Sequence, residues 1–123
     1  MTVNEAVMQA DDLIKNNPIS REVKVSWLSA LDHFLCTDVI DTHEDGDSDN
    51  NFPYEDGSDD ELLVPPPYSS LYVEYLKMKI FYEMHEYTRY NNSMTVFNRM
   101  LSAWRCAYHS THRPKTEGNV KYM

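Results

Sequence analysis

The apolar positions of this chain fall into four helical patterns interrupted by one long polar stretch. The most informative pattern is Leu71–Tyr90. Stepping ~100° per residue, Val73, Leu76, Ile80, Met84 and Tyr87 form one apolar stripe. Leu71, Tyr75, Met78 and Tyr82, with Arg89 at the end, form a second stripe on the opposite side, and Glu74, Lys77, Lys79, Glu83 and Glu86 fall between the two. A surface helix needs a single apolar stripe, so this helix is expected to lie sandwiched between two layers. The first stripe is mainly aliphatic, as a core is, whereas the second holds Tyr, Met and Arg, residue types enriched at protein interfaces. The second layer can come from elsewhere in the same chain or from another copy of it. Leu71, Tyr75, Met78, Tyr82 and Arg89 are therefore the candidate protomer-interface residues.

Thr2 and Glu5 have the spacing of a capping box, and Val3, Ala6, Val7, Ala10 and Leu13–Ile14 follow at helical intervals, predicting a first helix from about Val3 to Lys15. Asn16-Asn17-Pro18 stops it, because Pro cannot continue the hydrogen-bond ladder. Ser20 is a good N-cap for a second helix over Ser20–Thr42, on which Leu28, Leu31, Leu35 and Val39 share a face with Trp27 and Phe34 on its shoulder. Ser69 or Ser70 can cap the central helix. Asn91-Asn92-Ser93 is suited to ending that helix and capping a fourth, Ser93–His109, which stacks Phe97, Leu101, Trp104 and Tyr108. Thr111-His112-Arg113-Pro114 ends the pattern. The fold class predicted is all-α, a four-helix protomer with two helices on each side of a long acidic loop. Residues 1–114 form a single domain with an acidic and Pro-rich insertion at 44–67, followed by a C-terminal tail at 115–123 expected to be too polar to fold alone.

Charge sharpens this picture. Lys and Arg number 11 against 20 Asp and Glu, a formal net of -9, which argues against non-specific grip on nucleic acid or an anionic membrane. The stretch from Glu44 to Glu61 holds acids, Gly, Asn and Pro without one basic residue, the composition of a solvated loop, and removing Asp47–Glu55 should leave the fold intact. Its acids include Asp45, Asp47, Asp49, Glu55, Asp56, Asp59 and Asp60. No apolar run approaches the ~20 residues that span a bilayer, and the polar start Met1-Thr2-Val3-Asn4-Glu5 does not resemble a signal peptide. Cys36 and Cys106 make no disulfide framework, so a soluble protein of a reducing compartment is expected.

Candidate chemistry is sparse. Asp45-x-Asp47-x-Asp49 resembles the first half of a calcium-binding EF-hand loop, but position six is Asn50 instead of Gly, Pro53 stiffens the loop, and Asp56 replaces the usual bidentate Glu. His33-x-x-Cys36 and Cys106-x-x-His109 could in principle ligate zinc. Helical geometry turns both thiols off the core stripes of their helices, and two ordinary thiols are the simpler reading. The carboxylates show no arrangement that separates an acid from a base, and with only Gly46, Gly57 and Gly118 there is no phosphate-cradling loop. No cofactor, metal or catalytic residue is assigned, and the reading is non-enzymatic.

The run Tyr75-Leu76-x-Met78-Lys79-Ile80 … Glu86-Tyr87-x-Arg89-Tyr90-Asn91-Asn92-Ser93-x-x-x-Phe97-Asn98 … Tyr108-His109-x-Thr111-His112-x-Pro114 resembles the small head–tail connector, or adaptor, proteins of long-tailed bacteriophages. The resemblance is strongest from Leu62 to Pro114 and reaches weakly into the first two helices. It implies a structural virion protein, assembled in the host cytoplasm and located at the neck. Its protomers would form a ring, expected to be twelvefold, below the portal protein. That ring would extend the DNA channel and offer a surface to the next tail or stopper protein, with DNA passing through unbound. The acidic loop would face the lumen or the tail, and His112, Arg113, Lys115 and Lys121 would dock on the portal. A different class remains open: an acidic binding module that takes one basic protein as a monomer or dimer.

Overall fold

A computed structural model describes residues 1–38, 54 and 60–111. It is all-α: α1 spans Val3–Leu13, α2 Arg21–Asp38, α3 Leu71–Glu83 and α4 Tyr87–Thr111, with a 3-10 turn at Tyr68–Ser70 leading into α3.

The first helix starts as the sequence predicts. The Glu5 amide donates to Thr2 Oγ1 at 3.2 Å and the Thr2 amide donates to Glu5 Oε1 at 2.9 Å, which satisfies two of the amide groups that a helix start leaves without partners. It ends at Leu13, short of Lys15. Asn17 explains the early stop: its Nδ2 donates to the Ile14 carbonyl at 2.8 Å and to Asp11 Oδ1 at 3.0 Å, while Asn16 takes a left-handed backbone with φ of 64°. Such a conformation is tolerated by Asn better than by most residues. In α2 the Val23 amide donates to Ser20 Oγ at 3.3 Å. That helix is described as far as Asp38, so its expected extension to Thr42 lies outside the described residues.

The largest departure is in the second half. Leu71–Tyr90 is not one helix. It breaks after Glu83, where His85 takes φ of 61°, the His85 amide donates to the Tyr82 carbonyl at 3.1 Å, and the Glu86 amide donates to the Phe81 carbonyl at 2.9 Å. These are the two hydrogen bonds of a Schellman C-cap, with His in the place usually held by Gly. Asn91-Asn92-Ser93 therefore lies inside α4, and α4 begins at Tyr87. Asn91 and Asn92 face solvent while Ser93 is buried, so packing of the helix overrides their weak helix propensity. Ser70 makes no side-chain cap; the 3-10 turn supplies the entry to α3 instead.

Helix α3 packs on each of the other three helices. Its Leu71, Tyr72, Leu76 and Ile80 are fully buried, together with Val3, Ala6 and Ala10 of α1 and Leu28 and Leu35 of α2. The sandwich foreseen for this helix exists, and α4 of the same chain provides one of its layers: Tyr75 meets Phe97 with ring centroids 5.2 Å apart. Phe97 and Trp104 are buried on α4, as its stripe predicts. The stretch read as a solvated loop also departs from expectation, because its Tyr54 belongs to the core, as do Leu62 and Val64 just beyond it. Residues 60–62 run antiparallel to the chain start, with Val3 N donating to the Asp60 carbonyl and Leu62 N to the Met1 carbonyl, both at 2.9 Å.

Candidate assembly interface

The interface residues named from the second stripe separate into two groups. Leu71 is fully buried, Tyr75 and Met78 are half-buried, and burial raises the Tyr75 hydroxyl above its usual range. Leu71 and Tyr75 belong to the packing of this chain on itself, which corrects their assignment to contact between copies. The physical reason is the turn at His85, which folds α4 back over the stripe.

Tyr82 and Arg89 remain outward. Tyr82 is 52% exposed and sits in an aromatic cluster at the α3–α4 turn. Its ring lies 5.3 Å from that of Tyr90 and 5.8 Å, edge to face, from that of Tyr87, which is itself 50% exposed. The Tyr87 hydroxyl is hydrogen-bonded to Nδ1 of His85 at 2.8 Å, so the residue that makes the turn also holds the cluster. The Arg89 guanidinium lies 5.8 Å from the centre of the Phe81 ring and 3.5 Å from Glu86. Tyr and Arg at an exposed turn are residue types enriched among the anchors that carry binding energy.

Of the acidic-loop residues, Asp60 is described, and its carbonyl pairs with the Val3 amide. Asp45, Asp47, Asp49, Glu55, Asp56 and Asp59 lie outside the described residues, as do His112, Arg113, Lys115 and Lys121. What the structure does give is how the loop is fastened. Asp32 on α2 is fully buried. Its Oδ2 accepts from the Tyr54 hydroxyl at 2.5 Å and the Leu63 amide at 3.1 Å, and its Oδ1 accepts from the Tyr72 hydroxyl at 2.5 Å. The Tyr72 oxygen accepts in turn from the Val64 amide at 2.8 Å, and the Tyr54 amide donates to Ser29 Oγ at 2.7 Å. At the entry side, Arg105 of α4 donates to Asp38 at 2.8 Å.

Burial pushes the Asp32 carboxyl above the usual carboxylate range, against the hydrogen bonds from Tyr54, Tyr72 and Leu63, which pull it down. Burial first, and then the Asp32 charge, drive the Tyr54 and Tyr72 hydroxyls far above the ordinary tyrosine range. A buried acid with a raised pKa is a candidate for proton chemistry. Here both oxygens are taken up by donors of the same chain, so the group fastens structure. The sequence gives no direct sign of it, since Asp32 reads as one more polar residue of an amphipathic helix; its place beside Leu28, Leu31 and Leu35 on the inner side of α2 is the signal available.

The other chemical candidates do not converge. Cys36 is buried and Cys106 exposed, the two are not joined in a disulfide, and among the described residues no group of three His, Cys, Asp or Glu side chains is placed to hold a metal. Among the same residues no helix is long and apolar enough to cross a membrane.

Two outcomes are expected from the Asp32 cluster. Tyr72→Phe, which strands Asp32 Oδ1 and the Val64 amide together, should lower unfolding free energy by about 2–4 kcal/mol in urea titration. The acid contribution also has a sign: folded Asp32 keeps its proton to higher pH than the unfolded chain, so its stabilisation is full below the ordinary carboxylate value and declines as pH rises through the raised one. The stability deficit of Asp32→Asn should therefore be largest at acid pH and shrink as pH rises. In an alkaline absorbance titration, Tyr54 and Tyr72 should stay un-ionised until the protein unfolds, so that the native chain ionises fewer than its 9 tyrosines.

Comparisons of the chain with protein-family models, with curated proteins and with solved structures found no match.

Proposed function

We propose that the chain is a structural protomer of a phage head–tail connector, building a ring of twelve copies beneath the portal protein. The observation that carries this reading is where its most distinctive residues fall. Arg89-Tyr90-Asn91-Asn92-Ser93 begins beside the α3–α4 turn, next to the exposed Tyr82 and Tyr87 and three residues after the Glu86 that Arg89 pairs with. An all-α protomer whose aromatic turn points outward has an anchor for a neighbouring subunit. A ring protomer contacts its two neighbours through unlike patches, and Tyr82 with Arg89 forms one of them.

In this reading the acidic stretch lines the lumen or faces the tail, where like charge keeps DNA phosphates from adhering as the genome passes. His112, Arg113, Lys115 and Lys121 dock on the portal, and the far side of the ring receives the next tail or stopper protein. The protein performs no catalysis and carries no cofactor. It resides at the virion neck after assembly in the host cytoplasm.

Light scattering of the protein alone, and then mixed with the portal protein of the same phage, tests the proposal. A rise to a many-copy assembly with the portal is the expected result. Persistent monomer in both samples would transfer the reading to an acidic module that binds one basic protein. Tyr82→Ala should weaken that assembly about tenfold or more while helical content and melting temperature stay close to wild type. Tyr75→Arg, by contrast, should unfold the monomer because it replaces a ring packed on Phe97.

A further inference from the structure

The outer faces of α1 and α4 differ in charge. Val3–Leu13 contains Glu5, Asp11 and Asp12 and no basic residue, whereas Tyr87–Thr111 contains Arg89, Arg99 and Arg105 and no acid. Asp11 is turned toward α2, where it pairs with the buried Lys24. Glu5, Met8, Gln9 and Asp12 form the exposed face, with Met8 62% exposed. Asp12 meets no cation among the described residues. It also stands in the last turn of α1, where the helix dipole disfavours an anion.

On α4 the outward residues Thr88, Asn92, Thr95, Arg99, Ser102 and Cys106, all exposed, fall within about 80° of one another around the axis. Arg89 is engaged by Glu86 and Arg105 by Asp38. Arg99, at the centre of the face, meets no acid among the described residues. Its neighbours there are short polar side chains, which leave the guanidinium accessible and let another helix approach closely.

We infer that these faces are complementary halves of one contact between copies: Arg99 on the outer face of α4 in one protomer meets Asp12 and Glu5 on the outer face of α1 in the next, with Met8 laid over the short side chains of α4. The occupant of each face is a second copy because the missing countercharge of each face is present on the other. The two faces are unlike patches carried by different helices, so each protomer offers one of them to each of two neighbours. The contact is head to tail, the arrangement that generates rings. It rests on the ring reading for its closure, and it names the surfaces that this reading requires in addition to the turn at Tyr82.

The test uses charge reversal in full-length protein, with sedimentation velocity run alone and with portal protein, and circular dichroism to confirm folding. Arg99→Glu and Asp12→Arg should each lower association at least tenfold, since each brings like charges together. Mixing the two variants in equal amounts should restore it, because in an alternating assembly each reversed charge meets the other, beside an unchanged Glu5. The double variant should assemble by itself, and wild-type association should weaken as salt rises. If wild type assembles and both single variants assemble equally well, the inference is overturned and the ring reading stands. If both single variants fail and their mixture also fails, the two faces do not meet, and the inference is again overturned. Wild type that stays monomeric with and without the portal overturns the ring reading and this contact together.

Discussion

A carboxylate taken wholly out of water has to be surrounded by donors, and the way Asp32 is surrounded decides where the middle of the chain goes. An unpaired buried acid would cost several kcal/mol or take up a proton. Two tyrosine hydroxyls and one backbone amide meet it here, from residues 22 to 40 positions further along the chain. None of the three donors is on the helix that carries the acid. Tyr54 and Leu63 belong to the connection between the halves and Tyr72 to α3, so one side chain of α2 fixes the connection against both neighbouring helices. The Val64 amide, held by the Tyr72 oxygen, extends the same restraint to the next residue but one after Leu62, itself buried in the core.

Around that point the molecule is layered. Helix α3 is apolar on two sides because it has a helix on each side: α1 and α2 supply one layer and α4 the other. What decides the second layer is a reversal three residues long. His85 accepts a left-handed backbone, its amide and that of Glu86 close the end of α3, and its ring is held by Tyr87. The reversal both covers the Tyr75 stripe and leaves Tyr82 and Tyr87 outside, so the core of the monomer and the surface available to a neighbour are set by the same local geometry.

The parts of this fold that are legible in the sequence are those specified locally. Thr2 and Glu5 mark the start of α1 because both partners of the capping box lie within one turn. The inner face of α4 is legible from Phe97, Leu101, Trp104 and Tyr108 because a 3.6-residue period needs no knowledge of what it packs on. The His85 turn is not legible, because the usual marker of a left-handed helix end is Gly and the residue here gives no such sign; Asn91-Asn92-Ser93, which carries stronger local signals, draws the boundary to the wrong place. The Asp32 cluster is hidden for a different reason. Its members are far apart in sequence, and Tyr54 sits among acids and glycines whose composition says loop. Of the interface named from the second stripe, Tyr82 and Arg89 face outward and Leu71 and Tyr75 do not, because amphipathicity states that a face is covered and leaves open which polypeptide covers it.

The pairing of residues 1–3 with residues 60–62 also sets the scale of a long closure in the chain. Helices α3 and α4 are neighbours in sequence and reverse through a turn closed by its own hydrogen bonds, so they can associate at the small entropic cost of a short loop. Helices α1 and α2 gain their core only when the chain returns from 60 to 64 and Asp32 finds its donors. An all-helical protein of this size would ordinarily fold on local contacts alone. This one adds a non-local closure, which ties its first residues to the strand-like segment that leads into its second half.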